Sequence, residues 1–75
     1  MSAWNGSRLK ELRLAAGLTQ TKLAEQIGVS RDAIARWESN NREPNWTSVV
    51  ALAKALGVDC TAFLEQADGE EEEGQ

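Results

Sequence analysis

The chain has 75 residues, 41% of them apolar and 27% charged, with one cysteine and no histidine. That length bounds a single small domain with a modest core, and that balance fits a folded globular chain rather than a disordered one. Cys60 alone excludes an internal disulfide and a zinc site built unaided, and it fits a reducing compartment.

The formal net charge of −4 is spread unevenly. Up to Gln66, eight Lys and Arg face seven Asp and Glu, whereas from Ala67 onward Asp68 and Glu70 to Glu73 stand with no basic residue. The chain divides accordingly into a domain over residues 1–66 and an acidic tail over 67–75. With like charges and glycine and nothing to bury, that tail is expected to be disordered. The body is close to neutral, so the low isoelectric point of about 4.7 does not argue against an anionic partner. Met1 to Ser7 lacks the basic start and apolar run of a signal peptide. Val49 to Val58 is broken by Lys54 and too short to span a bilayer, so no membrane partner is expected and the location expected is cytoplasmic.

In chain order the pattern predicts five short helices and no strand. Asn5 caps the first, with Trp4 and Leu9 as the halves of a hydrophobic staple; Leu9, Leu12 and Ala16 recur at helical spacing before Gly17. Thr19 caps the second, where Leu23 and Ile27 pair one turn apart before Gly28. Ser30 caps the third, with Ile34 and Trp37 on one face. The polar stretch Ser39 to Pro44 is a loop in which Asn40 suits a left-handed conformation. Asn45 caps the fourth helix, where Trp46, Val49, Val50, Ala53 and Leu56 form an apolar stripe up to Gly57. Asp59 caps a fifth helix carrying Cys60, Phe63 and Leu64. Trp37 and Trp46 are expected in the core, and Cys60 as a small buried hydrophobe.

Only Gly28, Val29 and Ser30 join the second and third helices. So short a joint forces a steep crossing. Leu23, Ile27, Val29, Ile34 and Trp37 are then needed as core, a small Ala24 where the third helix passes, and Gly28 for a positive φ.

The stretches "RLKELRLAAGLTQTKLAEQIGVS", "IARWE", Pro44 after the loop and "ALAKALGV" resemble the lambda-repressor-like helix-turn-helix family, the group of Cro, phage repressors and xenobiotic-response-element type regulators. The likeness runs from about Arg8 to Leu64, with the helix-turn-helix core at 19–38. It implies a compact all-α, five-helix DNA-binding domain whose third helix lies in the major groove. Two features depart from the family: Asn40 stands where Gly is common, and Met1 to Gly6 lacks the Lys or Arg of a basic DNA-embracing arm.

On that resemblance Ser30, Arg31, Asp32, Ala35 and Arg36 are the base-contacting residues. Arg31 can offer two parallel donors to guanine. Asp32 either accepts from cytosine or pairs with Arg36 four residues later and fixes its aim, the pair being favoured. Thr19 and Gln20 at the second helix start, and Asn41 and Arg42 in the loop, are the phosphate-contacting residues, with Gln20 also buttressing the third helix. Arg13 and Glu38 are expected to form a structural ion pair beneath the surface.

The function implied is sequence-specific binding of double-stranded DNA in transcription regulation, repressor ahead of activator, in a bacterium or phage. The alternative is a protein-interaction module of the same fold, such as an antitoxin or bridging factor. A homodimer would use the fifth helix, through Cys60, Phe63 and Leu64. No catalytic group, cofactor, metal or small-molecule ligand is expected, because no clustered carboxylates, histidine or phosphate-cradling glycine loop occur in the body. The tail is either a solubilising terminus or a brake on DNA binding.

Overall fold

The computed structural model describes residues 4–64 of the chain. The boundary at residue 66, the acidic stretch 67–75 and the first three residues of the N-terminal arm lie outside the described residues. Four α-helices, α1 Gly6–Ala15, α2 Gln20–Ile27, α3 Arg31–Glu38 and α4 Trp46–Leu56, are followed by a 3-10 turn, Cys60–Phe63.

The all-α class is as expected, but the fifth helix is corrected to a single 3-10 turn. Its hydrogen bonds reach back three residues, Ala62 N–H to the Asp59 carbonyl at 2.9 Å and Leu64 N–H to that of Thr61 at 3.1 Å. Leu64 then turns extended and forms an isolated antiparallel bridge with Trp4. The pull of Leu64 towards the chain start ends the segment before a full α-turn can propagate. Among the described residues this bridge belongs to no strand.

Local chemistry places each element start. Asn5, Thr19, Ser30, Asn45 and Asp59 all have extended backbones and accept, through a side-chain oxygen, an N–H two or three residues on. Each such cap is worth about 1 kcal/mol against alanine.

Every element contributes one side chain with no exposed surface: Leu9, Leu23, Ile34, Leu52 and Phe63. Trp4, Ala24, Trp37 and Ala53 complete the core. The α4 stripe needs two corrections. Leu52, absent from the expected set, is its fully buried member, with Val49 three residues before it and Leu56 four after it. Trp46, expected in the core, is 70% exposed. As the first residue of α4, directly after its Asn45 cap, it lies one turn before the point where other elements cover the helix. On α1 Leu9 and Arg13 are buried and Leu12 packs half-buried against the core, while Ala16, at the C-cap, is exposed.

The segment before α1 is fastened both to the end of α3 and to the 3-10 turn. Asn5 N–H donates to the Phe63 carbonyl at 2.8 Å, and the Trp4 indole Nε1 donates to the Trp37 carbonyl at 2.8 Å. The Trp4 and Phe63 rings lie 5.4 Å apart at a tilt of 36°.

Candidate nucleic-acid interface

The turn between α2 and α3 follows from one backbone requirement. Gly28 has φ 78, and with the chain turned there Val29 N–H reaches back to the Ala24 carbonyl at 3.0 Å. A residue with a Cβ strains that conformation, so glycine is the cheapest occupant. Ala24, Leu23, Ile34 and Trp37 are buried in the crook, and Ile27 and Val29 pack half-buried against it.

Behind α3 lies a polar lock joining three helices. The Arg13 guanidinium on α1 donates through Nε to Glu38 Oε2 at 2.6 Å and through Nη2 to Glu38 Oε1 at 3.2 Å. Its Nη1 donates to the Leu18 carbonyl at 2.8 Å. Gln20, the first residue of α2, donates its amide to the same Glu38 Oε1 at 3.0 Å. The Arg13 and Glu38 side chains retain only 8% and 5% of their exposure. A planar fork on a carboxylate fixes direction as well as distance, so the C-terminal end of α3 is clamped to α1 and α2.

Outside that lock much of the α3 surface is open. Ser30, Arg31, Asp32 and Arg36 are exposed and Ala35 is half-buried between them. Ser30 has its hydroxyl committed to the Ala33 N–H at 3.1 Å. Asp32 Oδ2 accepts from Arg36 Nε at 2.7 Å, the pairing favoured on sequence grounds. Thr19 spends its hydroxyl on the α2 cap, accepting from Lys22 N–H at 3.0 Å. Asn41 and Arg42 are exposed in the loop after α3, and both their backbone N–H groups donate to the Arg36 carbonyl, at 2.9 and 3.2 Å. Ser30, Asp32, Arg36 and Arg42 border one polar groove with Glu43, Asn45 and Ser48, whereas Arg31, Ala35 and Asn41 lie outside it. Among the described residues no group of three or more His, Cys, Asp or Glu could hold a metal ion.

Sequence reasoning missed two supports of this arrangement. Gly6 sits so close to the end of α3 that a Cβ there would stand 2.2 Å from the Trp37 carbonyl oxygen and 2.6 Å from that of Glu38. Asn40, at φ 63, does more than adopt the left-handed turn: its Oδ1 accepts the Gly6 N–H at 2.9 Å. The available signal for that second role was the asparagine itself, whose side chain brings an acceptor to a left-handed turn that glycine would also fit.

Of the residues expected at a dimer face, Phe63 is consumed by the core and Cys60 is half-buried, while Leu64 is 44% exposed. Leu64 and Trp46 lie along one apolar groove floored by Phe63, Pro44 and Val49.

Two helices joined by a glycine turn, the second bearing an open polar face, define a helix-turn-helix domain. The family model for that domain, described as Helix-turn-helix, matches residues 9–63, and the chain belongs to this family. The propionyl-CoA carboxylase regulator of Cereibacter sphaeroides is 45% identical over 56 residues, covering 75% of this chain and 12% of that protein. The HTH-type transcriptional activator BcrR of Enterococcus faecalis is 42% identical over 57 residues, 76% of this chain and 28% of that one. The chain thus spans a minor part of either regulator's length. Among solved structures, the P22 c2 repressor in complex with a synthetic operator superposes with a TM-score of 0.77 at 35% identity, covering 80% of this chain and 91% of that one. SinR in complex with DNA superposes with a TM-score of 0.75 at 26% identity, over 80% and 97%. Among the described residues no helix is long and apolar enough to cross a membrane.

Proposed function

We propose that this chain is a sequence-specific reader of double-stranded DNA that regulates transcription, with α3 in the major groove. The observation that carries the proposal is the division of α3: Glu38 at its C-terminal end is clamped by Arg13 and Gln20, while Ser30, Arg31, Asp32 and Arg36, with half-buried Ala35, are left open for base edges. Arg31 and Arg36 supply the donors suited to guanine. Thr19 and Gln20 at the α2 start, with Asn41 and Arg42 in the loop, are the proposed phosphate contacts; such contacts position the domain without reading sequence. The DNA complexes of the P22 c2 repressor and SinR support the mode of binding. Repression is the favoured outcome, as in the relatives named Repressor protein C2 of Salmonella phage P22 and the immunity repressor of Bacillus phage phi105. The setting is the cytoplasm of a bacterium, on the nucleoid, and the domain acts by binding rather than catalysis.

One recognition helix covers few base pairs, so the chain works in pairs on half-sites one helical turn apart. The homodimer face is the groove beside the 3-10 turn, with Leu64 and Trp46 at its edge. The same exposed tryptophan supports the second reading, a protein-interaction module of this fold, because aromatic anchors dominate protein interfaces.

Selection of bound duplexes from random DNA at two salt concentrations tests the proposal. Enrichment of a two-fold palindrome with half-sites about one turn apart is expected. Absence of any enriched sequence at both salts would refute DNA reading and favour the interaction module.

A further inference from the structure

A carboxylate on a face that meets phosphates is an oddity. Asp32 is 70% exposed at its side chain, on the outward side of α3, where its charge opposes approach to DNA. Yet its Oδ2 holds Arg36 by Nε, at 2.7 Å, and not by the terminal nitrogens. A guanidinium has two edges that can each present parallel donors, Nε with one Nη, and Nη1 with Nη2. Occupying Nε leaves the Nη1–Nη2 edge for another acceptor pair. The base of the same residue is also fixed, because the Arg36 carbonyl accepts Asn41 N–H, Arg42 N–H and the Ser39 hydroxyl.

Resting on the DNA-reading function proposed above, we infer that Asp32 and Arg36 form one reading unit. Asp32 is a positioning residue that turns the Nη1–Nη2 edge of Arg36 outward, and Arg36 donates that edge to the O6 and N7 of a guanine. Among the residues proposed above for base edges, Asp32 is thus the exception: it acts through Arg36 and not on a base of its own. Its charge is partly neutralised by the arginine it aims, so the penalty for its place on the DNA face is reduced while the aim is kept. An exposed ion pair of this kind adds little to fold stability, so its substitution should be silent in unfolding and visible in recognition.

The test uses the duplex selected by the full chain and the same duplex with each half-site base pair changed in turn. Arg36→Lys keeps the charge and loses the fork, and should abolish discrimination at one guanine position. Asp32→Ala should reduce discrimination at that same position, from roughly five- to 150-fold, the worth of a bidentate contact, to a few-fold, while binding to unrelated DNA rises. Asp32→Asn keeps an acceptor oxygen at the same reach and should retain more of the discrimination than Asp32→Ala. Thermal unfolding of all three variants should match the parent. If Asp32→Ala strengthens binding to every duplex equally and leaves discrimination at the Arg36 position intact, the carboxylate is a mere surface charge and the inference falls while DNA reading stands. If the parent chain enriches no duplex at all, the function itself fails, and the reading unit with it.

Discussion

Glu38→Ala is the perturbation that most directly interrogates the lock behind α3. The substitution removes both acceptors of the Arg13 fork and the acceptor of the Gln20 amide, leaving Arg13 only its bond to the Leu18 carbonyl. The stranded guanidinium remains in a site where its side chain is 8% exposed. Breaking one side of a buried ion pair costs about 3–5 kcal/mol, most of it from the charge left behind. A domain of this size has roughly 4–11 kcal/mol of total stability, so the variant would lose about a quarter of it or more. At about 4–8 °C per kcal/mol the midpoint should fall by at least ~12 °C. Thermal and urea unfolding followed by circular dichroism at neutral pH measures this directly. A companion variant, Arg13→Met with Glu38→Leu, replaces both charges by apolar groups and should recover most of the loss. A Glu38→Ala midpoint within ~4 °C of the parent would refute the reasoning, since the charge would then have found water.

Other outcomes follow from the same geometry. Gly6→Ala drives a Cβ into the Trp37 and Glu38 carbonyls, and overpacking of that kind should cost about 1–3 kcal/mol in urea unfolding, with the end of α3 displaced. Asn40→Ala loses both the left-handed preference and the acceptor for Gly6 N–H, so it should destabilise more than Asn40→Gly, which loses only the acceptor, worth about 0.5–1.5 kcal/mol. Leu52→Ala should cost about 2–5 kcal/mol, against little for Trp46→Ala in the isolated monomer; equal losses would contradict the exposure of Trp46. Arg42→Ala should weaken binding to all duplexes alike and lower the slope of log affinity against log salt by about 1, as read by fluorescence titration.

What was legible in the sequence was what is settled within a few residues. Each cap needs only a short polar side chain before an apolar run, and Asn5, Thr19, Ser30, Asn45 and Asp59 all met that condition. Gly28 and Asn40 were readable because a positive φ admits few residue types. The Arg13–Glu38 pair came through family likeness, since no local pattern joins residues so far apart. Trp46 misled because helical spacing says which residues share a stripe but not how far along it neighbouring elements extend. The 3-10 turn misled because its end depends on Leu64 pairing with Trp4 at the other end of the chain. Gly6 gave no hint at all, because close approach of two backbones leaves no trace in either segment alone. On the recognition face the residue types were legible, whereas the aim of Arg36 depended on which of its nitrogens meets Asp32.

The division of labour along α3 has an engineering consequence. Ile34, Trp37 and Glu38 seat the helix by their burial, whereas Ser30, Arg31, Asp32 and Arg36 are exposed, Arg31 two turns before Glu38 on the same side. Those outward positions are therefore interchangeable parts. A library randomised at Arg31, Asp32 and Arg36 alone, with the Ser30 cap retained, should yield mostly folded proteins with altered vocabularies, since the scaffold that holds the helix is indifferent to what the helix says.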